Sequence, residues 1–291
     1  MGFAGASVSK SVKISRTVKD LRNQVAKWRE AGKTVALVPT MGALHDGHLA
    51  LVRLANKKAD RVVVSIFVNP TQFAATEDLS RYPRDEAGDL QKLASVDADL
   101  VWTPTAEEMY PEGFSTSIVP GSAADDMEGA IRPQHFGGVA TVCCKLFSQV
   151  TPDVAIFGQK DYQQLTVLKQ MVRDLNLPLK IIGAPTERAA DGLALSSRNA
   201  YLTEAERKIA PALYAVLTET ARAVGKGADI RSSVTNAKRK LLAAGFAVVD
   251  YIDVRDADTL RAVEERTDTK LRVLAAVRLG KTRLIDNVAV A

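Results

Sequence analysis

Pro39-Thr40-Met41-Gly42-Ala43-Leu44-His45-Asp46-Gly47-His48 is the stretch that decides the fold of this chain. An unbroken β-favouring run precedes it at residues 34–38, as is typical of a buried parallel strand. Apolar residues recur at helical spacing after it, from Leu49 to Ala55. The sequence therefore predicts a strand, a turn and a helix, with glycines and histidines where the turn meets the helix.

The residue types in this turn favour a phosphate ligand. A turn that enters a helix directs free backbone N–H groups and the positive end of the helix dipole into the adjoining cleft. Gly42 and Gly47 let a ligand approach the backbone more closely than a side chain would allow. His45 and His48 are three residues apart, so they can share one face of the first helical turn.

Two other interpretations of the histidine pair remain open at this point. The rings can simply be polar groups whose hydrogen bonds are satisfied within a loop. They can also chelate zinc, although neither a cysteine nor a third histidine lies nearby in the sequence. The combination of strand, glycines and helix start favours the phosphate interpretation over both.

Length and composition indicate a globular protein that binds an anionic small molecule. A chain of 291 residues is long enough for two domains. Its net charge of +5 comes from 39 basic and 34 acidic residues, a mixture too even to indicate nucleic acid binding. The cysteines, Cys143 and Cys144, are adjacent and form no disulfide framework. With no signal peptide and no apolar run of membrane-spanning length, we expect a cytoplasmic protein without membrane contact.

Strand and helix patterns alternate along the first part of the chain, after about ten residues that we expect to be loose. Strands are predicted at 34–38, 61–68, 98–102, 153–157 and 179–183, and helices at 18–32, 49–57, 85–96, 139–150 and 165–175. This alternation predicts an α/β fold with a doubly wound parallel sheet. We place this domain at residues 1–184.

The order of the predicted helices and strands changes after residue 184. A helix is predicted from Glu204 to Ala223, because Thr203 and Glu206 form a capping-box pattern at its start. A second helix is predicted at 230–244, followed by strands at 248–254 and 271–277. Helices followed by strands predict a smaller α+β domain at residues 185–291.

Further polar strings follow predicted strands, where open α/β sheets bind their ligands. Gln72 can donate and accept hydrogen bonds without neutralising a hydroxy acid. Lys160 can meet phosphate oxygens, while Asp161 beside it is either a ligand contact or a helix cap. Residues 195–199 offer hydroxyls and a guanidinium that form either a phosphate clamp or a plain loop. The string around Arg132 suits an anion or a structural loop equally well.

Taken together, these strings resemble one family. His45-Asp46-Gly47-His48 is similar to the "HIGH" signature of the nucleotidylyltransferase superfamily, and residues 39–48 as a whole resemble the pantothenate synthetase family. The strings that carry the resemblance, in the family's order, are residues 39–48, 67–73, 81–84, 132–139, 157–164, 191–199 and 282–287. They cover most of the chain, and several in order are highly specific.

The resemblance implies a Rossmann-like fold of the nucleotidylyltransferase type with a C-terminal lid domain. It implies ATP-dependent joining of pantoate and β-alanine through a pantoyl-adenylate, with Mg²⁺, in a cytoplasmic homodimer. No side-chain nucleophile is needed, because the pantoate carboxylate attacks the α-phosphorus of ATP. Fixed donors must then stabilise the charge on the phosphoryl oxygens and on the departing pyrophosphate.

Roles carry over by position. The ATP-binding positions are Met41, Gly42, Ala43, Leu44, His45, Asp46, Gly47, His48, Gly158, Gln159, Lys160, Asp161, Glu187, Leu195, Ser196, Ser197 and Arg198. The catalytic positions are His48 (as proton donor), His45, Lys160, Ser196, Ser197 and Arg198. The pantoate and β-alanine positions are Asn69, Gln72, Arg132, His135 and Gln164, and the metal position is Asp89.

The chain departs from the family pattern at three places. Gln134 replaces a usual glycine, and Glu187 stands where other members often have an apolar residue, so that its nucleotide contact is expected from the backbone. Asp89 is flanked by Gly88 and Lys92, where some relatives carry an acid and an amide.

Two alternative functions fit the sequence less well. Another nucleotidylyltransferase would make a product that carries the nucleotide, but the strings around Gln72 and Gln164 do not support it. An RNA-binding module would need a basic stripe with interleaved aromatic residues, and aromatic residues make up only 5% of the chain. We therefore expect an adenylate-forming ligase whose partners are small molecules.

Overall fold

The computed structural model describes residues 12–74, 79–265 and 268–290 and contains two sheets. The first has six strands, all paired in parallel, and the second has three antiparallel strands. This confirms the predicted doubly wound parallel sheet with a smaller α+β part after it. The loose segment predicted at the N-terminus lies outside the described residues.

Helices and strands alternate through the first part of the chain. They are β1 (Lys13–Ser15), α1 (Val18–Glu30), β2 (Val35–Thr40), α2 (Asp46–Asn56), β3 (Arg61–Ile66), α3 (Glu86–Ala94), β4 (Leu100–Trp102), α4 (Ala106–Met109), α5 (Glu128–Ile131), α6 (His135–Val150), β5 (Val154–Gly158), α7 (Tyr162–Asp174) and β6 (Lys180–Ala184). Short 3-10 turns lie at Pro70–Gln72, Leu79–Arg81, Ser122–Ala124 and Gln159–Asp161.

The strand order places a cleft at the centre of the parallel sheet. The order is β1-β4-β3-β2-β5-β6, so the chain builds outward from β2 in one direction and then from β5 in the other. At such a switch point the loops after the two central strands diverge and leave a crevice at their carboxyl ends. The loop that carries the histidine pair and the turn that carries Lys160 therefore lie on either side of one crevice.

Alternation along β2 shows why this sheet is buried on both faces. Val35 and Leu37 pack into the cluster formed with α1, α6 and α7. Ala36 and Val38 face the opposite side and pack with α2. All four side chains are fully buried. A strand that is apolar on both faces needs helices on both sides, which is the doubly wound arrangement.

The remaining elements form the smaller α+β part, in which helices pack on the three-stranded antiparallel sheet. They are a 3-10 turn at Ser197–Tyr201, α8 (Glu204–Ile209), α9 (Ala212–Gly225), α10 (Ile230–Ala243), β7 (Val248–Asp256), β8 (Leu271–Leu279) and β9 (Thr282–Ala289). One hydrophobic cluster joins α9 and α10 to this sheet. The domain boundary at residue 185 stays a prediction, although this cluster draws only on residues from Ala189 onward.

The structure differs from the sequence prediction at several elements, among them the short helices α4 and α5, which have no predicted counterpart. The helix predicted at 204–223 is two helices, because Pro211 has no backbone N–H to continue the ladder after Ile209. Strand β1 pairs with β4 at the sheet edge and was not predicted. Strand β9 was likewise not predicted, because its polar residues break the strand pattern. Among the described helices, none is both long and apolar enough to cross a membrane.

Candidate active site

A cleft of about 870 Å³ lies between the carboxyl ends of the central parallel strands and the β8–β9 hairpin. Most residues predicted for the site line it. They are Met41, His45, Gly47, His48, Asn69, Gln72, Arg132, His135, Gly158, Lys160, Asp161, Gln164, Glu187, Leu195, Ser196, Ser197 and Arg198. Gly42, Ala43, Leu44, Asp46, Gln159 and Asp89 are not among the lining residues. The strings that are separate in the sequence therefore line a single cavity in the folded chain.

His45 and His48 form a capping box at the start of α2. The backbone N–H of Gly47 donates to His45 Nδ1 over 3.2 Å, and the backbone N–H of His45 donates to His48 Nδ1 over 3.3 Å. The ring centroids are 4.1 Å apart. A Cβ at Gly47 would lie 2.9 Å from the His45 ring, so glycine is needed there. Histidine thus serves here as the N-cap, a role usually filled by Ser, Thr, Asp or Asn.

These hydrogen bonds fix the tautomer of both rings. A nitrogen that accepts from a backbone N–H carries no proton, so Nε2 must carry it in the neutral ring. Burial, with Lys160 nearby, lowers the pKa of His45 to about 4. Burial, followed by the effect of the neighbouring His45, lowers the pKa of His48 to about 3. At neutral pH each ring is uncharged and presents an Nε2–H donor at the cleft.

We expect the stability of the protein to fall between pH 6.5 and pH 4 through these two rings. Below pH 6.5 the unfolded chain protonates its histidines, whereas the folded site resists protonation down to about pH 4 and 3. The unfolded state then binds more protons, so the free energy of unfolding decreases as the pH falls. Urea unfolding across this interval measures the effect.

The matched variant for this measurement is His48→Asn, because the asparagine oxygen retains an acceptor near the position of Nδ1. Its free energy of unfolding should depend less on pH than that of the unchanged protein between pH 6.5 and pH 4. An identical pH dependence in both proteins would contradict the assignment of the proton uptake to His48.

Asp89 braces the turn between β2 and α2 from below. Its carboxylate accepts from the backbone N–H groups of Ala43 and Leu44 over 2.9 and 2.8 Å. Lys92 donates to the Leu44 carbonyl over 2.8 Å. Gly42 has a φ of +82°, and a Cβ there would lie 3.1 Å from the Asp89 carboxylate. The position predicted to bind metal therefore holds the backbone turn, and it is 1% exposed.

Lys160 lies across the crevice on the 3-10 turn between β5 and α7. Its side chain is 19% exposed, and its Nζ is 3.9 Å from the Asp161 carboxylate. Asp161 occupies the N-cap position of α7, as the helix-cap interpretation predicts, but its side chain makes no capping hydrogen bond there. The ammonium group is thus held at the cleft wall opposite the two imidazoles, where it lowers the pKa of His45.

The serine-rich string forms the outer wall of the same side. The Ser196 hydroxyl accepts from the Arg198 backbone N–H over 3.3 Å and so caps the following 3-10 turn. The Ser197 hydroxyl is 3.4 Å from the Tyr82 hydroxyl. Because Ser196, Ser197 and Arg198 all line the cleft, the string is part of the candidate site rather than an unrelated loop.

Gln72 is oriented by neighbours on three elements. Asn69 donates to its Oε1 over 3.1 Å, which leaves the Gln72 amide nitrogen 3.1 Å from Met41 Sδ. Arg132 and His135 contact the backbone carbonyl oxygen of Gln72 over 3.3 and 3.0 Å. Asn69 is 1% exposed and fully engaged, so it orients Gln72 more than it offers a free group to a ligand.

Gln164 and its neighbour Gln163 have different environments. Gln164 lines the cleft, together with apolar side chains such as Val139, Val142 and Phe157. Gln163 is 4% exposed and binds the backbone around α5. The cleft therefore offers two amide side chains beside an apolar wall, which suits a small hydroxy acid with aliphatic substituents.

A family comparison fits this arrangement. The profile of the family described as pantoate-beta-alanine ligase matches residues 13–289. The chain belongs to the pantoate–β-alanine ligase family. Pantothenate synthetase 2 of Bradyrhizobium diazoefficiens is 55% identical over 284 residues, which is 97% of this chain and 100% of the relative. Pantothenate synthetase of Caulobacter vibrioides is 54% identical, over 95% of this chain and 98% of the relative.

Solved structures of this ligase family match the whole fold. Pantothenate synthetase from Thermus thermophilus matches with a TM-score of 0.90 at 44% identity, covering 96% of this chain and 99% of that one. Pantoate-beta-alanine ligase from Francisella tularensis, solved with beta-gamma ATP and β-alanine, matches with a TM-score of 0.81 at 35% identity. Coverage there is 96% of this chain and 97% of the Francisella chain.

Sequence reasoning missed several cleft residues of this ligase. Tyr82, Glu128, Tyr251, Arg278 and Arg283 all line the cavity and were given no role. Glu128 was missed because its only signal is a carboxylate in a short loop helix. The β9 residues carried a clearer signal, since the pair Asp286-Asn287 is polar within an otherwise largely apolar strand.

Proposed function

We propose that this chain joins pantoate to β-alanine at the expense of ATP, releasing AMP and pyrophosphate through a bound pantoyl-adenylate. The observation that carries the proposal is the cleft itself. It brings the two imidazole donors, Lys160 and the amides of Gln72 and Gln164 to one cavity at the switch point of the sheet. Family membership supports the same reaction.

In the first step a pantoate carboxylate oxygen attacks the α-phosphorus of ATP. An O–P bond forms, the bond to the β-phosphate bridging oxygen breaks, and pyrophosphate leaves with the electron pair. His45 and His48 each donate an Nε2–H hydrogen bond to phosphate oxygens, and Lys160 faces the same oxygens from the opposite wall. Donors that are fixed before the reaction stabilise the developing charge without further reorganisation. Ser196, Ser197 and Arg198 complete the ATP side.

The neutral state of His48 defines what kind of donor it is. With a pKa of about 3, the ring is not a charged acid at neutral pH in the ligand-free protein. It serves the reaction as a hydrogen-bond donor whose orientation the capping box fixes. No proton has to be delivered to the leaving group in this role.

In the second step the amine of β-alanine attacks the acyl carbon of the adenylate. A C–N bond forms, the acyl C–O bond breaks, AMP departs, and the amine loses a proton. Gln72 and Gln164 hold pantoate by its hydroxyl groups against the apolar wall. Arg132 supplies positive charge for the β-alanine carboxylate, and His135 fixes the Gln72 carbonyl beside it. The C-terminal sheet covers the cleft and excludes water from the hydrolysable adenylate.

The residues around the cleft do not fit a metal ion held by the protein. Within the described ranges, no three His, Cys, Asp or Glu side chains gather around one point. Both carboxylate oxygens of Asp89 already accept hydrogen bonds from backbone N–H groups, and Asp89 does not line the cleft. The Mg²⁺ requirement implied by the resemblance stays a prediction, and no step above depends on it.

We expect Asp89→Asn to loosen the turn without changing the response to Mg²⁺. The amide keeps one acceptor oxygen but places its NH2 group against the other of the two backbone N–H groups, of Ala43 or Leu44, which costs about 1–3 kcal/mol of the free energy of unfolding. Urea unfolding and a Mg²⁺ titration at saturating ATP measure the two effects. Asp85→Asn is the control, because asparagine caps a helix as well as aspartate does. A raised half-maximal Mg²⁺ concentration in Asp89→Asn alone would establish a metal ligand instead.

A homodimer in the cytoplasm completes the proposal. The apolar side chains of Val119 and Leu175 are 88% and 50% exposed, and both border a groove of about 130 Å³ beside α7. We propose this groove as the contact with a second copy of the chain, because that contact would remove the exposed apolar side chains from water. Cys143 and Cys144 are free thiols, which supports a reducing compartment.

The dimer can be tested by one substitution in this groove. We expect Val119→Asp to shift the mass in sedimentation velocity from two chains to one chain of 31.3 kDa, because a carboxylate is costly to bury in an apolar contact. Val248→Asp is the control, since Val248 is 43% exposed on the other sheet. A monomeric unchanged protein, or a dimeric Val119→Asp, would contradict the proposed interface.

The decisive experiment for the function is pantoate-dependent exchange of labelled pyrophosphate into ATP without β-alanine, followed by detection of AMP and pantothenate when β-alanine is added. Absence of exchange in folded protein would exclude the two-step route. A product that keeps the nucleotide would establish another nucleotidylyltransferase, and RNA retention without ATP turnover would establish the binding module.

A further inference from the structure

We infer that Asn287, on strand β9, is a positioning residue that holds Lys160 in place for the phosphate chemistry of the proposed function. The string around Asn287 contributed to the family resemblance, but neither the sequence nor the reaction outlined above gave it a role. In the structure Asn287 borders the cleft, but the polar atoms of its side chain are bound to protein groups. It contacts the backbone of the turn that carries Lys160.

The contact is specific to a carboxamide. Asn287 Nδ2 donates to the carbonyl oxygens of Gln159 and Lys160 over 2.9 and 2.8 Å. Its Oδ1 accepts from the guanidinium of Arg272. The two N–H groups and the oxygen of the amide are therefore all in use, and Asn287 is 4% exposed. A buried amide with this pattern has one orientation, so it fixes the positions of the two carbonyls that it binds.

The end of the same turn is contacted at two further points, by β8 and by the turn that follows β7. The Arg272 guanidinium lies 3.9 Å from the centroid of the Tyr162 ring, directly after the turn. The Tyr162 hydroxyl donates to the Ala257 carbonyl over 2.9 Å. Contacts from β8, from β9 and from the turn after β7 thus converge on residues 159–162. Within the part of the chain that the structure describes, the ion pair of Lys160 with Asp161 is long, at 3.9 Å, so the position of Lys160 depends mainly on the backbone of this turn.

The residue before Asn287 connects β9 to the other ATP-binding segment. Asp286 accepts a bidentate pair from Arg188 over 2.6 and 2.9 Å, and it is 3% exposed. Arg188 adjoins Glu187 in the segment that leads to Leu195. Successive side chains of a strand point to opposite faces. Asp286 and Asn287 of β9 therefore contact the two segments proposed to bind ATP, the one around Glu187 and the one around Lys160.

The geometry separates positioning from direct contact. A residue that acts only through Lys160 should matter as long as Lys160 is present and should stop mattering once it is removed. A residue that supports the fold in general should matter equally in both cases. Double-mutant cycles distinguish these two situations.

The test compares Asn287→Asp with the unchanged protein by pantoate-dependent pyrophosphate exchange. The substitution keeps the size and the acceptor for Arg272 but places an oxygen against two carbonyl oxygens, so the turn shifts. We expect exchange to fall by about 10–100-fold, because a displacement of about 1 Å at a reacting group costs on the order of 10²-fold. The KM for β-alanine should change by less than about twofold.

The decisive measurement is made in protein that already carries Lys160→Met. There Asn287→Asp should lower the remaining exchange by less than about twofold. Asn287→Ala is the second variant in case the aspartate prevents folding, and thermal unfolding verifies the folded state of each. Asn236→Asp is the control, since Asn236 is exposed on α10 and retains its acceptor for Arg239.

Three outcomes would overturn the inference. They are unchanged exchange in folded Asn287 variants, effects that multiply in the Lys160→Met background, and an equal loss of affinity for β-alanine. The inference rests on the proposed function, but the two fail differently. No exchange in the unchanged protein refutes the function, whereas exchange that does not depend on Asn287 refutes only the positioning role.

Discussion

Lys160→Met will lower pantoate-dependent pyrophosphate exchange by about 10²–10³-fold, the loss typical of one fixed donor that stabilises transition-state charge. The ammonium group lies opposite the two imidazoles, and the side chain is largely buried at the cleft wall. Methionine keeps an unbranched side chain of similar length and removes the charge. The fold should therefore survive while the leaving pyrophosphate loses its cationic partner.

The measurement is the exchange rate at saturating pantoate over a range of ATP concentrations, with Lys169→Met as the matched control. Lys169 lies on the same helix, α7, but is exposed and does not line the cleft. If Lys160→Met exchanged within about threefold of the Lys169→Met rate, the cleft would have been assigned to the wrong chemistry.

His48→Asn should lower the same rate by about 10²–10³-fold through loss of its Nε2–H. The asparagine oxygen retains an acceptor for the His45 backbone N–H, so α2 keeps its cap. His48→Gln reaches further and places an amide N–H near the position of Nε2, so it should recover part of the rate. Because His48 is neutral at neutral pH, neither substitution removes a charge.

The comparison between the two His48 variants tests the hydrogen-bond role directly. Rates are measured near pH 7.5, where both histidine rings are neutral, and unfolding by urea verifies that each variant is folded. Equal rates in His48→Asn and His48→Gln would show that the direction of the N–H does not matter. A steep fall of the unchanged protein's rate above pH 6.5 would indicate a charged acid instead.

The sheet was predictable because its signals are local. Residues 34–38 form a run that only a strand buried on both faces can accommodate, and Gly42 and Gly47 mark the turn after it. The helix boundaries followed from apolar spacing, but Pro211 was overlooked and a single helix was predicted where two exist. Local patterns thus predicted most of the helices and strands, but they did not predict the break that Pro211 introduces between α8 and α9.

The chemistry of the site was less predictable, because it depends on contacts between distant residues. No pattern in the sequence reveals that the Asp89 carboxylate, which is predicted to bind metal, accepts hydrogen bonds from the backbone of Ala43 and Leu44. Gln163 and Gln164 are identical in type and both border the cleft, but only the folded structure shows that the Gln163 amide is already bound to the backbone around α5. The tautomers of the histidines likewise became clear only from their backbone donors.

The position of β9 late in the chain has a consequence for biosynthesis. A ribosome builds the protein from its N-terminus, and the parallel sheet is complete once β6 has emerged. Asn287, whose side chain binds the turn that carries Lys160, is added about a hundred residues later. A nascent chain can therefore bury its main core before the contacts between Asn287 and the turn that carries Lys160 are able to form.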